Sequence, residues 1–165
     1  YEILEDTHLG ISLPAFHRSV RKQQNLGRKF YLFDPGVKKA LDRTLKIGLA
    51  PGTSAYGEAF EHWFFLEIFR RSRSARNDWQ FSFVRTKAGA EIDLVIDRPG
   101  EPLLLIEIKS KTKVSADDFK SLESLGPDLD KNAERVVVSQ DPLAQKFGGA
   151  EALFWRDALK RWFGE

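Results

Sequence analysis

The stretch Glu91-Ile92-Asp93-Leu94-Val95-Ile96-Asp97-Arg98-Pro99-Gly100-Glu101-Pro102-Leu103-Leu104-Leu105-Ile106-Glu107-Ile108-Lys109 decides the fold. Read with a period of two, Ile92, Leu94 and Ile96 point to one side of a strand, and Glu91, Asp93 and Val95 to the other. Arg98-Pro99-Gly100-Glu101 is a strong turn signal. From Pro102 to Lys109 the chain is extended again, and Leu103-Leu104-Leu105-Ile106 is apolar on both faces. Such a run belongs in the middle of a sheet covered on two sides. Two strands across one turn form a hairpin. With the turn centred near residues 99 to 100, Asp93 falls opposite Ile106 or Glu107, within one residue of register.

Outward from the hairpin, Trp79 to Thr86 sets Phe81 and Phe83 against polar neighbours, as a half-buried strand does. Lys87-Ala88-Gly89-Ala90 turns the chain into the hairpin. Before it, Thr53 or Ser54 caps a long helix from about Ala55 to Arg73. Its apolar residues cover most of its circumference, so it is deeply packed. Phe30 to Phe33 is an aromatic strand, and Asp34 with Pro35 starts a short helix to about Leu45. Tyr1 to Asp6 finishes a helix, Ile11 to Pro14 is a short edge strand, and Arg18 to Lys29 is a polar loop. After the hairpin, Ser115 with Asp118 opens a helix whose Phe119, Leu122 and Leu125 share a face. Arg135 to Ser139 is a strand, Leu143 to Phe147 a helical turn, Leu153-Phe154 a short strand, and Ala158 to Phe163 a helix. This order predicts a three-layer α/β domain with a central mixed β-sheet flanked by helices.

The chain has 165 residues, 42% hydrophobic and 30% charged, a globular balance for about one domain. With no cysteine, disulfides, thiolate metal sites and cysteine nucleophiles are excluded. No apolar run reaches the roughly 18 residues of a membrane helix, and no signal-peptide pattern is present, so the expected compartment is the cytoplasm. No G-x-x-x-x-G-K-[ST] loop occurs, so the chain is not by itself a P-loop ATPase. It begins at Tyr1 and contains no methionine, which reads as a piece of a longer protein or a trimmed form. The net charge is only +2. Basic residues nevertheless cluster at His17 to Lys22, at Arg70, Arg71, Arg73 and Arg76, and at Lys109, Lys111 and Lys113. Such clusters suit a phosphate backbone or, more blandly, a solvated surface.

Three acids do not fit the apolar pattern around them. Asp93 and Glu107 fall almost side by side across the hairpin. Like charges facing each other destabilise a sheet unless a proton or a cation sits between them. Two hard oxygen ligands beside Lys109 suit Mg2+ or Mn2+. The alternative is an exposed polar stripe of Glu107 and Lys109. Glu61 lies on the apolar face of the long helix, between Ile68 and Phe65 on the wheel. It serves either an internal site or a core ion pair with an arginine such as Arg85. The three histidines, His8, His17 and His62, have no metal-ligand spacing and read as surface or packing residues.

Asp93, thirteen residues, then Glu107-Ile108-Lys109 resembles the PD-(D/E)XK nuclease signature: an acid on one strand, (D/E)-x-K on its neighbour, and a glutamate on a preceding helix. A wider resemblance runs through Arg28 to Gly36, Gly57-Glu58-Ala59-Phe60-Glu61, Arg85 to Asp93 and Ile106 to Ser110. These segments look like the uncharacterised C-terminal domain of a family of bacterial and archaeal AAA+ ATPases. The resemblance implies a restriction-endonuclease-like fold over residues 30–165, with residues 1–29 a lead-in from an upstream ATPase and winged-helix region. It implies that Asp93 and Glu107 hold Mg2+ or Mn2+, with Glu61 and the Ile108 carbonyl completing the ligand set. Lys109 would position or activate the attacking water. Arg70, Arg71, Arg73, Arg85, Lys87, Lys111 and Lys113 would bind DNA. Ile92 stands where the family often has proline before the first acid.

Three functions follow. The first is a Mg2+- or Mn2+-dependent phosphodiesterase acting on DNA, favoured by the intact Glu61, Asp93, Glu107 and Lys109 set. The second is a non-catalytic DNA- or protein-binding module serving the upstream ATPase, favoured by the near-neutral charge. The third is an oligomerisation or partner-recognition domain with Trp155, Trp162 and Phe163 on its surface. Salt-sensitive binding of double-stranded DNA separates the second from the third.

Overall fold

The computed structural model describes residues 2–17 and 27–164. Along the chain run α1 (Glu2–Asp6), β1 (Gly10–Pro14), β2 (Arg28–Leu32), α2 (Pro35–Leu41), α3 (Ser54–Ser74), β3 (Gln80–Arg85), β4 (Glu91–Asp97) and β5 (Leu104–Ile108). A 3-10 turn (Ala116–Phe119), α4 (Lys120–Leu129), β6 (Glu134–Ser139), β7 (Gln145–Phe147), β8 (Ala150–Phe154) and α5 (Trp155–Phe163) complete it. The central sheet has the order β3-β4-β5-β6-β8-β7. β5, β6 and β8 are parallel, and β3, β4 and β7 join antiparallel to their neighbours. Helices cover both faces, so the fold is the three-layer α/β arrangement with a mixed sheet.

Burial follows the pleat. All five residues of β5 are buried, as the unbroken apolar run requires of a central parallel strand. Leu104, Ile106 and Ile108 face Phe64, Phe65 and Ile68 of α3 and Leu159 of α5. Leu105 faces the other layer, with Phe119, Leu122 and Val137. In β4, however, Ile92 packs with Val95 in the second layer, while Leu94 and Ile96 pack in the first. The expected common face of Ile92, Leu94 and Ile96 is therefore wrong at Ile92. The cause is a β-bulge. Ser82 pairs with Val95 and Val84 with Ile92, so Asp93 and Leu94 together oppose the single residue Phe83. The extra residue turns Ile92 over and re-aims Asp93.

β1 and β2 form a separate two-stranded antiparallel sheet. Leu13 of β1, 1% exposed, and Tyr31 of β2 join the α3-side core. Ala15 bridges Phe83. Residues 10–16, expected in the lead-in, thus pack with the domain. Of the expected loop over 18–29, residues 18–26 lie outside the described residues, as does Arg18 to Lys22 of the first basic run. Arg28 and Lys29 are not loop but the start of β2, paired with Pro14 and Leu13 of β1. Three further expectations are corrected. Residues 145–147 are a strand rather than a helical turn, because Gly148, at φ +58°, closes a tight turn that lays them antiparallel to β8. The short helix stops at Leu41, capped at Asp42 and followed by left-handed Arg43, not at Leu45. Trp155, Trp162 and Phe163 are half-buried against the core, not a surface patch.

The caps fall where the sequence places them. Thr53 accepts from the Tyr56 amide at the start of α3, and Asp34 accepts from the Gly36 and Val37 amides at the start of α2. Asp34→Ala should lose about 1 kcal/mol of stability in urea unfolding, the usual worth of such a cap. An unchanged midpoint would show that α2 contributes nothing to the cooperative unit.

Candidate functional site

The site lies where β4 begins and β5 ends. Leu94 pairs with Ile106, so the next residue of each strand brings Asp93 opposite Glu107. Asp93 takes over from the ladder: its Oδ2 accepts the Ile108 amide at 2.8 Å. Glu107 is the deeper acid, with its side chain 8% exposed. Its Oε1 accepts from Lys109 Nζ at 2.5 Å. Its Oε2 is buried without a hydrogen-bond partner. The exposed-stripe reading of Glu107 is therefore wrong. An unpaired carboxylate oxygen in the interior is costly, and such a group calls for a proton or a cation.

A second cation enters from β2. Lys29 Nζ stands 3.0 Å from Glu61, 2.6 Å from Glu91 and 3.8 Å from Asp93. It also lies 5.5 Å from the centre of the Phe83 ring. Tyr31, two residues along the same strand and so on the same side, donates its hydroxyl to Glu61 at 2.7 Å. Glu61 is thus in an ion pair, but with Lys29. Arg85 pairs instead with Glu91, its cross-strand partner, at 2.6 Å.

The electrostatics follow from burial and crowding. Burial, then the Glu61 charge, pushes Asp93 up to about 6. Burial, then the Asp93 charge, pushes Glu107 up to about 7, against the pull of Lys109. Burial works to lower Lys29, but Glu61, Asp93 and Glu91 outweigh it and hold the ammonium above its ordinary value. For Lys109 the Glu107 carboxylate likewise outweighs burial. Burial raises Tyr31, and Glu61 adds to this, so the phenol stays protonated. Glu91 is lowered, because Arg85 and Lys29 overcome its burial.

Asp93, Glu107 and Lys109 are therefore together, with Ile108 touching the group through its amide. Asp93 and Glu107 fit two ligand positions of a hard divalent cation: they adjoin, and one oxygen has no other partner. Glu61 does not join them as placed, because Lys29 and Tyr31 hold it. Among the described residues, no three His, Cys, Asp or Glu side chains group closely enough to hold a metal ion. Of the basic residues, Arg85, Lys87, Lys111 and Lys113 flank the strand ends that carry the acids. Lys111 pairs with Asp118 at 2.6 Å, while Lys87 and Lys113 are exposed. Arg70, Arg71 and Arg73 are not part of this group. They sit about 14 to 18 Å further along α3 than Glu61, at about 1.5 Å per residue. Arg70 donates to the Phe33 carbonyl, Arg71 pairs with Glu67, and Arg73 covers the Phe69 ring. His62 is buried and bonds the Leu32 carbonyl, a packing role. Lys29, Tyr31 and Glu91 have no role assigned from the sequence alone. The available signal was the alternation that puts Lys29 and Tyr31 on one side of an aromatic strand.

The family described as Domain of unknown function (DUF4143) matches residues 56–158, and the chain belongs to that family. This domain is found at the C-terminus of AAA ATPase-containing proteins. No curated protein and no solved structure matches the chain. Among the described residues, no helix is long and apolar enough to cross a membrane.

Proposed function

We propose that this DUF4143 domain is a nuclease-like module of the PD-(D/E)XK, restriction-endonuclease-like kind, which binds Mg2+ or Mn2+ and hydrolyses DNA phosphodiester bonds. The observation that carries the reading is Glu107: a buried carboxylate with one unpartnered oxygen, beside Asp93 and Lys109. Asp93 and Glu107 would hold the cation. When bound, it supplies charge neutralisation at the phosphate and acidifies water. Lys109 stays an ammonium and offers a compact positive charge to a phosphate oxygen or to the attacking water. Lys87 and Lys113, exposed on either side, would bind flanking phosphates. As the C-terminal part of an AAA+ protein, the domain would act on DNA presented by the ATPase and winged-helix region.

One observation favours a second reading, a non-catalytic DNA- or protein-binding module. Lys29 already neutralises part of the acid cluster without any metal. Calorimetric titration with Mn2+, on this chain and on Asp93→Asn in parallel, separates the two. The nuclease reading expects saturable binding in the parent and at least a hundredfold weaker binding in Asp93→Asn. Equal binding in both would overturn the site, and binding in neither favours the docking module.

A further inference from the structure

We infer that Lys29 is a built-in counter-cation of the acid site, which competes with a divalent metal and keeps Glu61 out of its ligand set. The inference rests on the proposed metal site at Asp93 and Glu107. Among the described residues, Lys29 Nζ is the one ammonium that reaches Glu61, Glu91 and Asp93 together, at 3.0, 2.6 and 3.8 Å. Among the described residues, the carboxylates of the cluster are Glu61, Glu91, Asp93 and Glu107, against the cations Lys29, Arg85 and Lys109. One negative charge is left over, and Glu107 Oε2 is the atom without a partner. Without Lys29 the deficit is two, the charge that a divalent cation supplies. A cation held by Asp93 would meet the Lys29 ammonium across the same carboxylate, and like charges that close in a partly buried site repel strongly.

The fold lets Lys29 leave. β2 takes its strand hydrogen bonds from β1, not from the central sheet. Withdrawing the ammonium therefore costs no ladder bonds in the elements that carry Asp93 and Glu107. The side chain is 16% exposed, so it borders solvent. Glu61 is turned toward β2 by two contacts, Lys29 and the Tyr31 hydroxyl. Removing the first leaves a glutamate held by one neutral hydrogen bond and near enough to raise the Asp93 carboxyl. Lys29 thereby sets both the affinity of the site and the number of carboxylates it offers.

The test is Mn2+ titration by calorimetry on the parent, Lys29→Met, Glu61→Gln and the double variant, with thermal melts of each. Lys29→Gln replaces Lys29→Met should the latter fail to fold. The expected result has two parts. Loss of the Lys29 charge tightens Mn2+ binding at least tenfold. Glu61→Gln then weakens binding at least tenfold in the Lys29→Met background but less than threefold in the parent. Unchanged or weaker binding in Lys29→Met overturns the inference, as does a Glu61→Gln effect equal in both backgrounds. Asp93→Asn in the Lys29→Met background is the control. If it leaves a tightened affinity intact, the metal lies elsewhere, and the proposed site itself fails.

Discussion

Replacing Glu107 by glutamine should raise the melting temperature at pH 8 by roughly 4–8 °C and remove Mn2+ binding. Burial and the neighbouring Asp93 hold the folded-state Glu107 carboxyl near 7, above its ordinary 4.5. Between these two values the folded chain binds more protons here than the unfolded chain does. Stability must then fall as pH rises through the window, and the full cost is present above it. Asp93, held near 6 against an ordinary 3.8, acts with the same sign in the lower part of the window. At about 1.4 kcal/mol per pH unit, less the Lys109 ion pair that the variant loses, the cost at Glu107 is ~2 kcal/mol. For a domain of this size that is ~2–4 °C per kcal/mol. Glutamine keeps the shape and an acceptor for Lys109 but carries no charge to desolvate. Paired melts of parent and variant from pH 4.5 to 8 check this. The two should converge near pH 4.5 and separate progressively above it. A constant difference would mean that Glu107 is not the group under strain.

That strain could be seen in the sequence only in part. Glu107 after four apolar residues, and Asp93 fourteen residues earlier across a Pro-Gly turn, were enough to place two acids side by side, because strand period and hairpin turns are local rules. The burial of Glu107 followed from the same run. The orientation of Ile92 did not. It depends on a bulge, one residue inserted against β3, and no residue in Glu91-Ile92-Asp93-Leu94 announces it. Lys29 was hidden for a different reason. It precedes Asp93 by more than sixty residues and reaches the acids only because β2 packs its Tyr31 against α3. The helix wheel put Glu61 on an apolar face and left open an internal site or an ion pair with an arginine such as Arg85. Cross-strand pairing gave Arg85 to Glu91 instead. The long helix, its Thr53 cap and the capping box at Ser115 and Asp118 were all legible, since each is written within four residues. β7, at three residues, is too short to show any period.

Lys109→Ala should leave Mn2+ affinity within about threefold of the parent and lower DNA hydrolysis by roughly 10²–10⁴-fold. The first half follows from placement. Lys109 contacts Glu107 Oε1, whereas the oxygen without a hydrogen-bond partner is Oε2. Removing the ammonium costs Glu107 one partner and removes one positive charge near the cation, and these effects oppose each other. The second half follows from chemistry. A positioned cation that stabilises charge developing on a phosphate, or orients water against it, contributes on this scale because it acts on the transition state more than on the bound substrate. Without Lys109, Glu107 is held still further toward its protonated form, so both measurements belong on a pH series that runs above 8, toward the ionised carboxylate. Lys109→Arg keeps the charge but spreads it over a planar fork on a longer stem. It should restore less than a tenth of the parent rate. Equal loss of metal binding and hydrolysis in Lys109→Ala would make the lysine a structural partner of Glu107 and nothing more. Hydrolysis retained in both variants would place the chemistry away from Lys109 altogether. The proposed mechanism stands only on the split between the two readouts, since charge alone, or burial alone, would move both together.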